Sequence, residues 1–505
     1  MRRSVYSSVV AFAVVFSACG GPAEPTPDGG GTSSLPSAVG PAALTNRSAE
    51  NYAHNRWGLI EAATLEAYAT NWATVDTAGE GAIANGRPTH LSADARLVVL
   101  QINAANRAAG ENYVPSNPGG NVYVYELDAF RFNETRDTGL ISNSVRYQAS
   151  GPTTDDWLSR YGIDLARDFV VFAQGENTAN NGAYFQEIDR AIYWLSYWGA
   201  DLKHLAVLNG SLQKNYTGEL RSNKVAEGTI SNGGFSVKSL RVDHTALTLP
   251  LEDFLAIVDG NLAATGVVTG FGRQFIIDAR PTNQFNRSAT NAAFFSTHPG
   301  HFITTGWNSS GAPSEDATRQ AKSYVLYEGH VKGAVSFPWA NLVTDVGNSN
   351  WKYKSRAELE ALFTAAGYAP ADAATKVVVS QCRTNFEVQV NGFASRVILG
   401  YPTVHFDGSL IEYLSLVSNH PDASLNIAAS DPAYKFRTDI PTRSQHYTAG
   451  VGGLVTTIED GNGVPAYNVA SGVGATDRKV VQAVVNKNAT TTRKAVDEDR
   501  EYKRR

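Results

Sequence analysis

Cysteine is almost missing from this chain: Cys19 and Cys382 are the two in 505 residues. That excludes a disulfide framework, and with it a zinc site built on several thiolates. Methionine does not recur after Met1, which fits a preference for oxidation-resistant residues outside the cytoplasm. The ten histidines show no HExxH or similar spacing, so no metal and no cofactor are expected. Basic charge is not in excess. With 43 Lys and Arg against 48 Asp and Glu, the formal net charge is −5. There is no cationic footprint for nucleic acid. Long apolar runs are missing too. The one near the N-terminus, Val9 to Phe16, is too short to stay in a bilayer as a spanning helix.

What is present begins with a targeting segment. Arg2 and Arg3 precede the apolar run, and Phe16-Ser17-Ala18-Cys19-Gly20 follows it. Small residues before a cysteine resemble a bacterial lipobox. The resemblance implies a signal peptide over 1–19 and lipidation of Cys19. Gly20, rather than Asp, implies sorting to the outer membrane, facing the periplasm. The Gly/Pro/Ser-rich stretch after Cys19 cannot bury a core, and 20–54 reads as a flexible tether.

The remaining length suffices for two domains, and 43% hydrophobic with 18% charged residues reads as globular. Apolar strand candidates at 97–102, 122–125, 168–173 and 205–208 alternate with helical patterns. Tyr184, Phe185, Ile188, Ile192 and Leu195 lie on one helical face. The pattern repeats at 274–277, 334–337, 376–380 and 403–406, with Val390, Phe393, Ala394, Val397 and Ile398 on a second helix. Each half closes alike, with WLSYWGADLKHLAVLNGS and ASRVILGYPTVHFDGS. Two copies of one α/β module with a mostly parallel sheet are expected. The modules are bounded at 55–225 and 235–425. Residues 288–324 read as a surface insertion. The extension 426–505 ends in a mixed-charge run expected to be solvated.

Cys382 follows the strand-like Val377-Val378-Val379-Ser380 and precedes a helix. A helix N-terminus offers unpaired N–H groups and partial positive charge, and both favour a thiolate. Arg383 is expected to lower the thiol pKa further.

Three segments carry a family resemblance: FIIDARPTNQF (275–285), YEGHVKGAVSFPW (327–339) and CRTNFEVQVNGFASRVILGYPTVHFDGS (382–409). Together they resemble the rhodanese family, and the two modules look like a tandem thiosulfate or mercaptopyruvate sulfurtransferase. The resemblance implies an α/β fold of two rhodanese-like domains, each a mostly parallel sheet with helices on both faces. It implies that Cys382 takes a sulfane sulfur as a persulfide and passes it to a thiol or cyanide. By the same resemblance, the loop Arg383, Thr384, Asn385, Phe386 and Glu387, with Asp278 and Arg280, would bind the donor, and the backbone N–H groups of 383–387 would wrap the sulfur as an anion nest. The first module has no cysteine and resembles the non-catalytic half, with Ala173 about where the cysteine would stand.

The loop also departs from the family. Asn385 and Glu387 replace the usual Gly and Arg or Thr, and Thr384 stands where thiosulfate enzymes carry Lys. A carboxylate there opposes thiolate formation and repels anionic donors. Two readings stay open: a sulfurtransferase, or a non-catalytic sulfane-sulfur-binding or scaffold lipoprotein. A phosphatase of this fold would need Arg at the sixth residue after the cysteine, and Val388 is there. A cysteine hydrolase would need His330 or His405 against the thiol. His330 reads as a structural hydrogen-bonding residue.

Overall fold

The computed structural model describes residues 36–102, 113–127, 133–175, 183–216, 224–230, 234–260, 268, 270–285, 329–345, 350–418, 426–449, 455–459 and 484–505. Cys19 and the insertion at 288–324 lie outside them. The first sheet contains β1 (Gly58–Ile60), β2 (Leu97–Ile102), β3 (Val122–Leu127), β4 (Phe169–Gln174) and β5 (Leu205–Ser211). The second contains β6 (Thr248–Leu249), β7 (Arg273–Asp278), β8 (Val335–Ser336), β9 (Lys376–Gln381) and β10 (Thr403–Phe406).

The spatial orders are β1-β5-β4-β2-β3 and β6-β10-β9-β7-β8. Numbered within its own sheet, each reads first, fifth, fourth, second, third. Every pairing in both sheets is parallel. The tandem α/β architecture expected from the sequence is therefore present as one topology used twice. The strands are continuous Val, Ile, Leu and Phe runs because both sheet faces are covered. β1 and β6 were not legible, since two or three residues show no period.

Two helices fill the space between the sheets: α1 (Ala183–Tyr197) after β4, and α2 (Glu387–Phe393) after β9, which continues as a π turn over Ala394–Ile398. Phe185, Ile188, Ile192 and Leu195 of α1 share one buried cluster with Val390, Phe393 and Val397. That cluster also takes Val170 and Phe172 from β4 and Val378 and Cys382 from β9 and its end. The two modules thus share a core through equivalent helices.

Two expectations are corrected. The tether expected over 20–54 does not include 36–54 as loose chain. Leu44 and Tyr52 are buried, and the N–H groups of Asn46 and Ser48 donate to the carbonyls of Arg396 and Ile398, both at 2.9 Å. The final charge run is not simply solvated. It forms α3 (Lys494–Arg504) with Ala495, Val496, Asp499 and Lys503 buried. Arg136 meets Asp499 at 3.0 Å, and Lys503 Nζ donates to the Trp198 carbonyl at 2.8 Å. Buried charges persist there because Asp499 is paired with Arg136 and Lys503 is hydrogen-bonded to backbone carbonyls.

Candidate active site

Strand alternation decides where the cysteine points. Val378, Ser380 and Cys382 lie on one side of β9, the side covered by α2, where Ser380 Oγ lies 3.5 Å from the Val388 carbonyl. Cys382 has no exposed surface. The loop then turns through Asn385, which is fully buried and has φ +59°. Asn tolerates this left-handed conformation better than other non-glycine residues. The departure from Gly is therefore compatible with the turn.

Asn385 is held from several sides. Its side-chain amide donates to Asp407, and Gln389 Nε2 donates to its Oδ1 at 2.7 Å. Asp407 also accepts the Gln148 N–H at 2.9 Å. The turn aims backbone N–H groups of Thr384, Phe386 and Val388 at the Cys382 sulfur. The nest expected over 383–387 thus extends one residue into α2.

The electrostatics correct the expectation of a favoured thiolate. Burial, and secondly the Glu387 carboxylate, push the Cys382 thiol up to about 11, against the three N–H groups. Two physical reasons account for this. No water reaches the sulfur, and α2 carries Glu387 in its own first turn, which opposes the positive end of the helix. Arg383, expected to act on the thiol, acts on Glu387 instead. Burial raises Glu387 to about 7, with Arg383 and Arg280 lowering it and Asp278 raising it.

Asp278 and Arg280 are fully buried and form an ion pair at 2.7 Å. Arg280 Nη2 also donates to the Gly329 carbonyl at 2.8 Å. The intervening Ala279 N–H donates to the Gln381 carbonyl at 3.0 Å, which brings this turn beside Cys382. The fold therefore gathers Asp278, Arg280, Arg383 and Glu387 around one buried thiol, with Thr384, Phe386 and Glu387 half-buried.

His330 stacks on Phe285 at 3.9 Å and lies 3.1 Å from the Phe285 carbonyl and 2.5 Å from Gln445 Oε1. Both of its ring nitrogens are thus engaged within the second module and the segment after it. His405 pairs with Ser380 in the ladder and packs on Tyr193 at 4.4 Å. Burial holds it well below its ordinary pKa.

One site residue had escaped the sequence reading. Arg190 of α1, in the cysteine-free module, is fully buried. Its Nη1 donates to the Asn385 carbonyl at 2.6 Å, and its guanidinium lies 4.8 Å from the Phe386 ring centroid. It is 3.9 Å from Asp407. The available signal was the charged group Glu187, Asp189 and Arg190 inside a helix that is otherwise largely apolar, where buried charges have no default use.

Ala173, expected about where the cysteine would stand, lies on the other face of its strand. In the ladders, Val378 and Ser380 pair with Phe275 and Ile277 as Val170 and Phe172 pair with Val98 and Leu100. Two residues on, along the same face, stand Cys382 and Gln174. Ala173 points to the opposite face, in a separate cluster with Ile60 and Leu65.

The topology, the shared helical core and the cysteine at the end of the fourth strand define a tandem α/β protein with one buried thiol. No family model matches the chain. A thiosulfate sulfurtransferase of Corynebacterium glutamicum is 24% identical over 293 residues, covering 56% of this chain and 79% of its own. The likeness to sulfurtransferases is thus found in a curated relative as well as in the motifs. A 3-mercaptopyruvate sulfurtransferase from Leishmania major superposes with TM-score 0.39 and 14% identity, over 64% of this chain and 70% of that one. An anaerobic ergothioneine biosynthesis enzyme from Chlorobium limicola gives 0.42 and 14%, over 67% and 66%.

Proposed function

We propose that this protein is a sulfurtransferase that carries sulfane sulfur on Cys382. The observation that carries the reading is the convergence of the Thr384, Phe386 and Val388 N–H groups on the sulfur. Such a cradle stabilises a sulfur anion without a metal. The Cys382 thiolate attacks the transferable sulfur of a donor such as thiosulfate or mercaptopyruvate; with mercaptopyruvate the C–S bond breaks and the electron pair leaves on the enolate of pyruvate, which takes up a proton. With thiosulfate, its S–S bond breaks and sulfite leaves with the electron pair. A thiol or cyanide then takes the outer sulfur and returns Cys382 as thiolate. Asp278 and Arg280 hold the turn beside the loop, and Arg383 offsets Glu387.

A second reading has its own support. A fully buried Cys382 with its thiol pushed up to about 11 suits a scaffold or sulfane-sulfur-binding lipoprotein. One experiment separates the two. The protein is incubated separately with thiosulfate, mercaptopyruvate and glutathione persulfide, and Cys382 is examined for a mass gain of one sulfur that cyanide or a thiol removes. Loading followed by release supports the transferase. Loading without turnover, or no loading from any donor, supports the second reading.

We further propose that a lipid on Cys19 tethers the protein to the cell envelope, at the periplasmic side of the outer membrane. The charged residues, short apolar run and small residues ahead of Cys19 support this. Incorporation of labelled palmitate, lost in Cys19→Ala, is the expected result; equal labelling of both proteins overturns it.

A further inference from the structure

The cysteine-free module contributes directly to the loop that carries the cysteine. Arg190 Nη1 lies 2.6 Å from the Asn385 carbonyl oxygen. In a planar trans peptide the C=O of one residue and the N–H of the next point in opposite directions. Fixing the Asn385 oxygen toward α1 therefore turns the Phe386 N–H away from α1. That N–H is one of the three that hydrogen-bond the Cys382 sulfur. The guanidinium also lies over the Phe386 ring, so the peptide is held at its oxygen and at the following side chain. A cation on the carbonyl further polarises the peptide and strengthens its N–H as a donor.

We propose that Arg190 is a positioning residue of the sulfur cradle, acting through the Asn385–Phe386 peptide, and that this is one function of the module without a cysteine. The inference rests on the reading of Cys382 as the sulfur-carrying residue. It explains why a fully buried cation is retained in α1, where burying a charge is costly. The charged groups around the cradle are Glu387, Arg383, Asp278 and Arg280 from the second module and Asp407 from its closing turn.

The test uses the full chain and the variants Arg190→Gln and Arg190→Lys. The rate of Cys382 alkylation by neutral iodoacetamide is followed from pH 7 to 10 by mass spectrometry of its peptide, with Tm recorded alongside. Loss of one charge-assisted contact behind the donor should slow alkylation about tenfold at pH 8 and move the profile up by about one pH unit. Arg190→Lys, which keeps the charge without the planar fork, should fall between. A merely structural role predicts the opposite sign: a loosened loop exposes the thiol and speeds alkylation at every pH. Equal or faster alkylation in folded Arg190→Gln overturns the proposal. If that variant does not fold, Arg190→Lys decides by the same sign. Alkylation needs no sulfur donor, so this outcome is separate from persulfide formation by the unaltered protein.

Discussion

Gln174 at the end of β4 and Cys382 just after β9 lie on the core-facing side of two successive copies of one parallel sheet. Both follow the fourth strand's inward-facing residues, and both are fully buried. The first copy therefore presents an amide where the second presents a thiol. Among the described residues the thiol is therefore confined to one module.

The most direct prediction concerns the thiol itself. Cys382→Ser should abolish sulfur loading completely, because a serine hydroxyl cannot form a persulfide. The near-isosteric change should cost less than about 1.5 kcal/mol of stability. Intact mass after incubation with donor, with a denaturant curve, checks both. Residual loading in the variant would move the carrier elsewhere.

Glu387→Gln should make the thiol more acidic. The Glu387 carboxylate is, after burial, the cause that raises Cys382. Removing a neighbouring like charge shifts a thiol by roughly one pH unit. Alkylation and persulfide formation near pH 8 should both accelerate several-fold. An unchanged alkylation profile would show that Glu387 does not act on the sulfur.

Stability should fall as pH rises through the neutral range. Burial raises Glu387 to about 7 and, with the Asp407 carboxylate, Glu412 to about 8. An acid whose folded pKa is raised binds more protons folded than unfolded between its two values. Its contribution is complete below about 4.5 and is lost as pH climbs through the folded value. Tm should decline from pH 5 to 8.5, and Glu412→Gln should flatten the upper part of that decline. A flat profile for the unaltered protein would contradict the burial of these carboxyls in neutral form.

Breaking the buried pair next to the loop should be severe. Arg280→Met leaves Asp278 charged, enclosed and without its 2.7 Å partner. Removing one member of such a pair costs about 3–5 kcal/mol. Urea unfolding measures it. A loss below about 1 kcal/mol would mean that the pair is solvated in solution.

Asn385→Ala should also destabilise, by roughly 1–3 kcal/mol. Alanine is strained at φ +59°, and the bonds to Asp407 and Gln389 disappear. Asn385→Gly relieves the strain alone and should lie between the two in denaturant midpoint.

Much of this was legible beforehand where local pattern carries the information. The run Val377-Val378-Val379 was readable as a strand because a parallel strand covered on both faces is apolar throughout. The 3.6-residue period of Phe185, Ile188, Ile192 and Leu195 marked α1 for the same kind of reason. The two-residue strand Thr248–Leu249 had no such signal. The terminal helix misled because its buried Asp499 and Lys503 look like solvated charges until Arg136 and the Trp198 carbonyl are placed against them. The offset between Ala173 and Gln174 was a matter of register, and a one-residue slip reverses the face of every side chain.

The sequence by itself therefore determined the repeat, the lone thiol at the end of a strand and the loop that must turn behind it. These follow from periodicity, residue type and spacing along the chain. Tertiary structure alone decided the state of that thiol and who holds its loop. A pKa depends on exclusion of water and on charges close in space, and Glu387 raises what the helix and Arg383 were expected to lower. Arg190 reaches Asn385 across 195 positions of chain, a contact that exists only because α1 and α2 pack together between the two sheets.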